Sequence, residues 1–275
     1  MNRLLIIFRC DCLWPGLLLA LLGSALLTGC ASTSEYGASG RTDLVTESDE
    51  SSDRKRARIR VELAMGYLEQ GKTAIALDEV KLALAADPNF ADAHNLRGLI
   101  YMRLNEFSLA QDSFMKALSL RPRDPNILHN LGWLRCQQER YPEALDDFSK
   151  ALANPAYGER AKTFMTQGLC QIRAGQRREA EQSLLKSYEY DAANPVTGYN
   201  LANLLFQNGE FARAQFYIRR LNNSEWANAE TLWLGIKVEN RMTDRVAMLQ
   251  LANQLDKRFP QSKEAASYRL GAFDE

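Results

Sequence analysis

From about residue 56 to residue 260 the chain alternates short stretches of helical hydrophobic periodicity with polar breaks. The clearest unit runs from His94 to Pro122. Gly98, Leu99 and Tyr101 precede a break at Asn105 and Glu106, and Ala110, Phe114, Ala117 and Leu118 follow it. This predicts two amphipathic helices folded back on each other. The small residues let the two backbones approach, and the large ones fill the space beside that contact. Pro122 ends the second helix, because proline lacks the amide hydrogen that a continuing helix needs.

The unit recurs along the chain. Its first small residue reappears as Ala64, Gly98, Gly132, Gly168, Ala202 and Gly235, at steps of 34, 34, 36, 34 and 33 residues. The alanine of the second helix follows as Ala76, Ala110, Ala144, Ala180, Ala214 and Ala247, and behind it come Val80, Phe114, Phe148, Leu184, Ile218 and Leu251. Gly71, Asn105, Gly175 and Gly209 mark the inter-helix breaks, with Glu139 and Met242 in that place in the third and sixth units. The pattern resembles the tetratricopeptide (TPR) repeat, whose period is about 34 residues. The resemblance implies an all-α, TPR-like right-handed α-solenoid of about six helix pairs. The units fall at residues 57–90, 91–124, 125–160, 161–194, 195–227 and 228–260, followed by a C-terminal helix, and Asp53 is the expected cap of the first helix.

The amino terminus does not share the repeat. Arg3 and Arg9 precede an uncharged apolar run from Leu17 to Leu27, shorter than a comfortable membrane span. The run ends in Leu27-Thr28-Gly29-Cys30, which resembles the lipobox of bacterial lipoproteins. That resemblance implies a signal peptide over residues 1–29 and an acylated Cys30 as first residue of the mature chain. Ala31 after it, rather than Asp, implies sorting to the outer membrane, with the protein facing the periplasm. A soluble exported protein with an incidental cysteine is the other reading. Residues 31 to 53 are mostly small, polar and acidic and cannot bury enough surface to fold, so residues 30–53 read as a lipidated tether with a reach of about 25 Å.

Charge adds little drive toward any partner. The chain carries 34 basic and 34 acidic residues; without Arg3, Arg9 and Asp11 the count is 32 against 33. This balance gives no reason to expect nucleic-acid binding. Of the cysteines left after processing, Cys136 and Cys170 lie on the first helices of the third and fourth units. A disulfide between them is geometrically allowed in an oxidising compartment, and two buried thiols packing as small hydrophobes is the alternative.

Nothing in the chain has the spacing of a catalytic or metal site. The two histidines, His94 and His129, have no ligand pattern around them, and phosphate-loop, nucleophile-elbow and zinc-helix motifs are absent. Asp146 and Asp147 read as a pair on the solvent side of a second helix. The expectation is therefore a monomeric, cofactor-free interaction protein rather than an enzyme.

In a TPR stack the concave surface is lined by first helices. One line across it is read as Met65, Leu99, Trp133, Leu169, Asn203 and Ile236, and the next as Leu68, Met102, Cys136, Ile172, Phe206 and Glu239. Leu99, Met102, Trp133, Leu169, Tyr199 and Phe206 are the expected protein-binding residues, an apolar lining suited to an amphipathic or extended peptide. A lipobox, a short tether and about six TPR units resemble the type IV pilus biogenesis lipoproteins of the PilF and PilW family. So do Arg60-x-x-Leu63-Ala64-x-x-Tyr67-Leu68-x-x-Gly71 and the His-Asn-Leu runs near the starts of the second and third units. The resemblance implies a pilotin that brings the type IV pilus secretin to the outer membrane and promotes its multimerisation. A TPR lipoprotein factor for outer-membrane protein insertion or peptidoglycan synthesis shares the same layout.

Overall fold

The computed structural model describes residues 49–273. The expected signal peptide, Cys30 and most of the expected tether lie outside the described residues. Within them thirteen helices follow in order. The first six are α1 (Ser52–Glu69), α2 (Thr73–Ala86), α3 (Ala91–Arg103), α4 (Phe107–Leu120), α5 (Pro125–Gln137) and α6 (Tyr141–Leu152). Then come α7 (Arg160–Arg173), α8 (Arg177–Tyr190), α9 (Pro195–Gln207), α10 (Phe211–Asn222), α11 (Ala229–Arg241), α12 (Arg245–Arg258) and the shorter α13 (Lys263–Leu270). The arrangement is a TPR-like α-solenoid of six helix pairs closed by α13.

Helix boundaries follow from local chemistry. The side chains of Asp124 and Asn194 accept from the first free amides of α5 and α9, and each is followed by a proline whose missing N–H costs nothing at that position. Asn228 and Thr231 cap α11 reciprocally. Ser51, not Asp53, caps α1; Asp53 sits in the first turn, where its charge complements the helix dipole. The two additional residues before the fourth small position fall in the turn between α6 and α7. Tyr157 from this turn is buried, and its hydroxyl meets Thr163 at 2.9 Å.

Small-to-large interlock holds each pair together. A Cβ on Gly98 would lie 2.5 Å from Phe114 Cε1, and one on Gly132 would lie 2.9 Å from Phe148 Cε1 and 3.1 Å from the Ala144 carbonyl oxygen. At Gly168 the obstacle is Leu184 Cγ, at 2.8 Å. The glycines thus make room chiefly for the large residue sixteen positions on, with the fully buried alanines beside it.

The sixth unit departs from the sequence expectation by one residue. The left-handed turn position is Thr243 (φ 59°), not Met242, in line with Gly71, Asn105, Glu139, Gly175 and Gly209. A β-branched residue is uncommon there, which is why the pattern missed it. Counting from this turn, Ile236, Met248, Ala252 and Leu255 replace Gly235, Ala247, Leu251 and Gln254. Ile236, Ala252 and Leu255 are indeed buried together. Gly235 nevertheless keeps its close approach, since a Cβ there would lie 3.0 Å from Leu251 Cδ1 and 2.5 Å from Asn222 Nδ2, so this pair combines the expected contact with a core shifted by one residue.

Each first helix also approaches the next first helix closely along the backbone, whereas the second helices stand farther apart and meet through long side chains, as Tyr188 with Tyr217 and Glu181 with Arg213 between α8 and α10. The first helices are therefore the crowded, inner side of the stack, and their remaining faces line its concave surface.

Candidate protein-binding groove

Trp133 on α5 is half-buried and packs against the core residues of both the second–third and third–fourth unit junctions. The Arg173 guanidinium at the end of α7 lies over its ring, 4.9 Å from the centroid. This is a cation–π contact that keeps one face of an amphipathic anchor near solvent. Leu99 and Leu169, one unit to either side, are half-buried. Phe206 on α9 packs against Phe211 at 5.5 Å, and Lys237 lies over it at 5.6 Å.

Met102 does not belong to this surface. It is buried in the core of the second and third units with Phe114 and Leu131. An unbranched thioether fills gaps between packed helices well, and α3 and α5 approach closely enough here to cover it. The register shift moves two further positions. Lys237, not Ile236, continues the row of Leu99, Trp133 and Leu169, while Ile236 is buried in the core. Asn240, not Glu239, continues the second row. Glu239 is fully buried and accepts two hydrogen bonds from Arg219, at 2.7 and 2.9 Å, and one from Gln215 at 2.8 Å.

The groove changes character along its length. At its C-terminal end α13 packs against α11 and α12, and a cavity of about 340 Å³ opens between α9, α11 and α13. Tyr199, Asn203, Trp233, Lys237 and Glu264 are among its walls. Burial lowers the Lys237 pKa, and its ammonium lies 5.6 Å from the centroids of both Phe206 and Trp233. At the N-terminal end α1 leaves Ile59, Leu63 and Met65 exposed, each near half of its surface. The pattern reading singled out Met65 only by its row; the wider patch follows from α1 having a neighbouring unit on one side alone among the described residues.

The cysteines are joined. Cys136 and Cys170 form a disulfide with Cα atoms 5.8 Å apart, linking the first helices α5 and α7 in the core beneath Trp133. The histidines serve packing. His94 Nε2 donates to the Pro88 carbonyl at 2.8 Å. His129 Nδ1 meets the Thr163 hydroxyl at 2.9 Å, and burial pushes its pKa down to about 4. Asp146 is on the surface, but Asp147 is not. It is 2% exposed and accepts from Arg135 at 2.6 Å, tying α5 to α6, and burial pushes its carboxyl up to about 6 against the pull of that guanidinium. Among the described residues no group of three His, Cys, Asp or Glu is placed to hold a metal ion.

The tetratricopeptide repeat family matches residues 91–124 and 113–146. Type IV pilus assembly protein PilF of Pseudomonas aeruginosa is 29% identical over 236 residues, covering 84% of this chain and 94% of that protein. The solved structure of PilF superposes with a TM-score of 0.71 at 27% identity, covering 80% of this chain and all of that one. That of PilW, described as a widely conserved type IV pilus biogenesis factor, gives a TM-score of 0.70 at 30% identity, with 77% and 97% covered. Whole-length similarity in sequence and in helix arrangement places the chain in the PilF and PilW family of TPR proteins of type IV pilus biogenesis.

Proposed function

We propose that this protein is a pilotin: an outer-membrane lipoprotein, anchored through Cys30 and facing the periplasm, that binds the type IV pilus secretin and promotes its localisation and multimerisation. The observation that carries the reading is the concave row of half-buried apolar side chains, Leu99, Trp133 and Leu169 with Tyr199 and Phe206 beyond, in a chain of the PilF and PilW family. Such a row offers an amphipathic or extended segment several anchor points on a rigid scaffold. Two acyl chains or more on Cys30 would hold the protein stably at the membrane, since each buried CH₂ contributes about 0.8 kcal/mol and one chain is marginal.

The experiment compares Trp133→Ala and Phe206→Ala strains with wild type in melting temperature, secretin multimer formation and twitching motility. Truncating a central aromatic anchor typically costs about 2 kcal/mol or more of binding. Folded variants that lose multimers and twitching support the reading. Folded variants that assemble secretin and twitch normally move the binding surface elsewhere, with the exposed α1 face next in line. Defects in wall synthesis or barrel insertion with normal pili would favour the alternative role for a TPR lipoprotein.

A further inference from the structure

The first helix of the fifth unit lacks a side chain that its counterparts have. Four residues before the small position stand His94, Leu128, Phe164 and Leu232 in the second, third, fourth and sixth units. His94, Leu128 and Leu232 are buried. The equivalent residue of α9 is Gly198, and a Cβ built on it would meet nothing within 4 Å. The missing side chain leaves a cavity of about 220 Å³ where α8 ends, α9 begins and α10 ends. Tyr188 and Trp226 wall it, Ala192, Ala193 and Leu221 contribute apolar surface, and Arg220 is its one cation.

Three further features make this more than a packing defect. Tyr188 Oη is buried without a hydrogen-bond partner, an arrangement that costs free energy unless a ligand supplies one. The Arg220 guanidinium lies 5.7 Å from the centroid of the Tyr188 ring and makes no ion pair among the described residues. Trp226, just past α10, keeps about half of its surface exposed (53%).

We propose that this cavity is a slot for one apolar side chain, of leucine or phenylalanine size, from a protein partner that carries a carboxylate beside it. Its volume falls below the roughly 300 Å³ at which sites for whole small molecules begin, which suits a single side chain. The apolar walls take the side chain, Trp226 covers it, Arg220 takes the carboxylate, and the Tyr188 hydroxyl donates to the same carboxylate or to a neighbouring carbonyl. The slot lies at the helix ends, apart from the row centred on Trp133, and stands whether or not that row binds a secretin.

The test uses the full-length protein in detergent with ¹⁵N-labelled indoles, the Trp226 signal being assigned by its loss in Trp226→Phe. The probes are N-acetyl-L-phenylalanine, which has side chain and carboxylate, and N-acetyl-L-phenylalaninamide, which has the side chain alone. A saturable shift of the Trp226 signal is expected with the acid, and about tenfold weaker binding with the amide or with Arg220→Gln. Gly198→Leu should fill the slot and abolish the shift while raising the melting temperature by about 2–4 °C, because it replaces a helical glycine and buries a side chain. Equal binding of acid and amide, a shift that survives Gly198→Leu, or no saturable shift in wild type would each overturn the assignment. Trp133→Ala should leave the shift unchanged.

Discussion

The ring of Phe114 occupies the space into which a side chain at position 98 would project, 2.5 Å from where its Cβ would stand. Phe114 is fully buried and cannot swing into solvent. Gly98→Ala should therefore destabilise the solenoid by about 1–3 kcal/mol through overpacking. The control is Gly66→Ala on α1, where nothing lies within 4 Å and the gain in helix propensity should stabilise by up to about 1 kcal/mol. Urea denaturation of the two variants should show shifts of opposite sign; equal shifts would remove the interlock as the source of pair stability.

His129 and Asp147 make the protein's acid response a balance of two opposed terms. Burial holds the His129 pKa near 4, below its ordinary 6.5, so its contribution is present above pH 6.5 and is lost as pH falls toward 4. Asp147 is raised from 3.8 to about 6, so its contribution is full below pH 3.8 and is lost as pH rises through 6. Each term is at most about 3 kcal/mol, and over this window they run in opposite directions. Asp147→Asn should thus lose stability on acidification from pH 7 to 4 more steeply than wild type, and His129→Gln less steeply. Parallel melting-temperature profiles for the three proteins would refute this.

Reducing the Cys136–Cys170 bridge frees a loop spanning 34 positions. In the chain-entropy picture that costs about 4 kcal/mol. Denaturation with and without reductant measures it, and Cys136→Ser with Cys170→Ser should reproduce the reduced curve. Because the bridge sits under Trp133, the double variant should also weaken secretin assembly if the concave row is the binding surface.

Cys30→Ala should leave the chain unprocessed or release it from the membrane. Labelling with a clickable fatty acid reads the acylation directly, and label or outer-membrane fractionation that persists in the variant would exclude Cys30 as the anchor.

Much of this was written in the chain. Period and residue size sufficed for the second to fifth units, because a glycine or alanine at each close approach must be matched by a large residue sixteen positions on. That match is a local property, carried within one helix pair. The resemblance of the amino terminus to a signal core and lipobox is likewise a linear feature, read without any fold.

What needed the tertiary structure is whatever depends on neighbours from other units. In the sixth pair Gly235 does meet Leu251, yet the buried core is carried by Ile236, Ala252 and Leu255, because the turn at Thr243 falls one residue later than the pattern implied. Met102 has the composition of a groove residue, but the approach of α5 covers it. Asp147 reads as half of a surface pair until Arg135 is seen to reach it from the other helix. The bridge between Cys136 and Cys170 was one of two permitted outcomes until α5 and α7 were placed side by side. The cavity at Gly198 is the same lesson in reverse: an ordinary helical glycine in the sequence becomes a missing side chain only when four other units show what belongs there. Periodicity encodes which residues face a partner helix, whereas depth and vacancy are set by how closely the next helices come, and that distance is a property of the assembled stack.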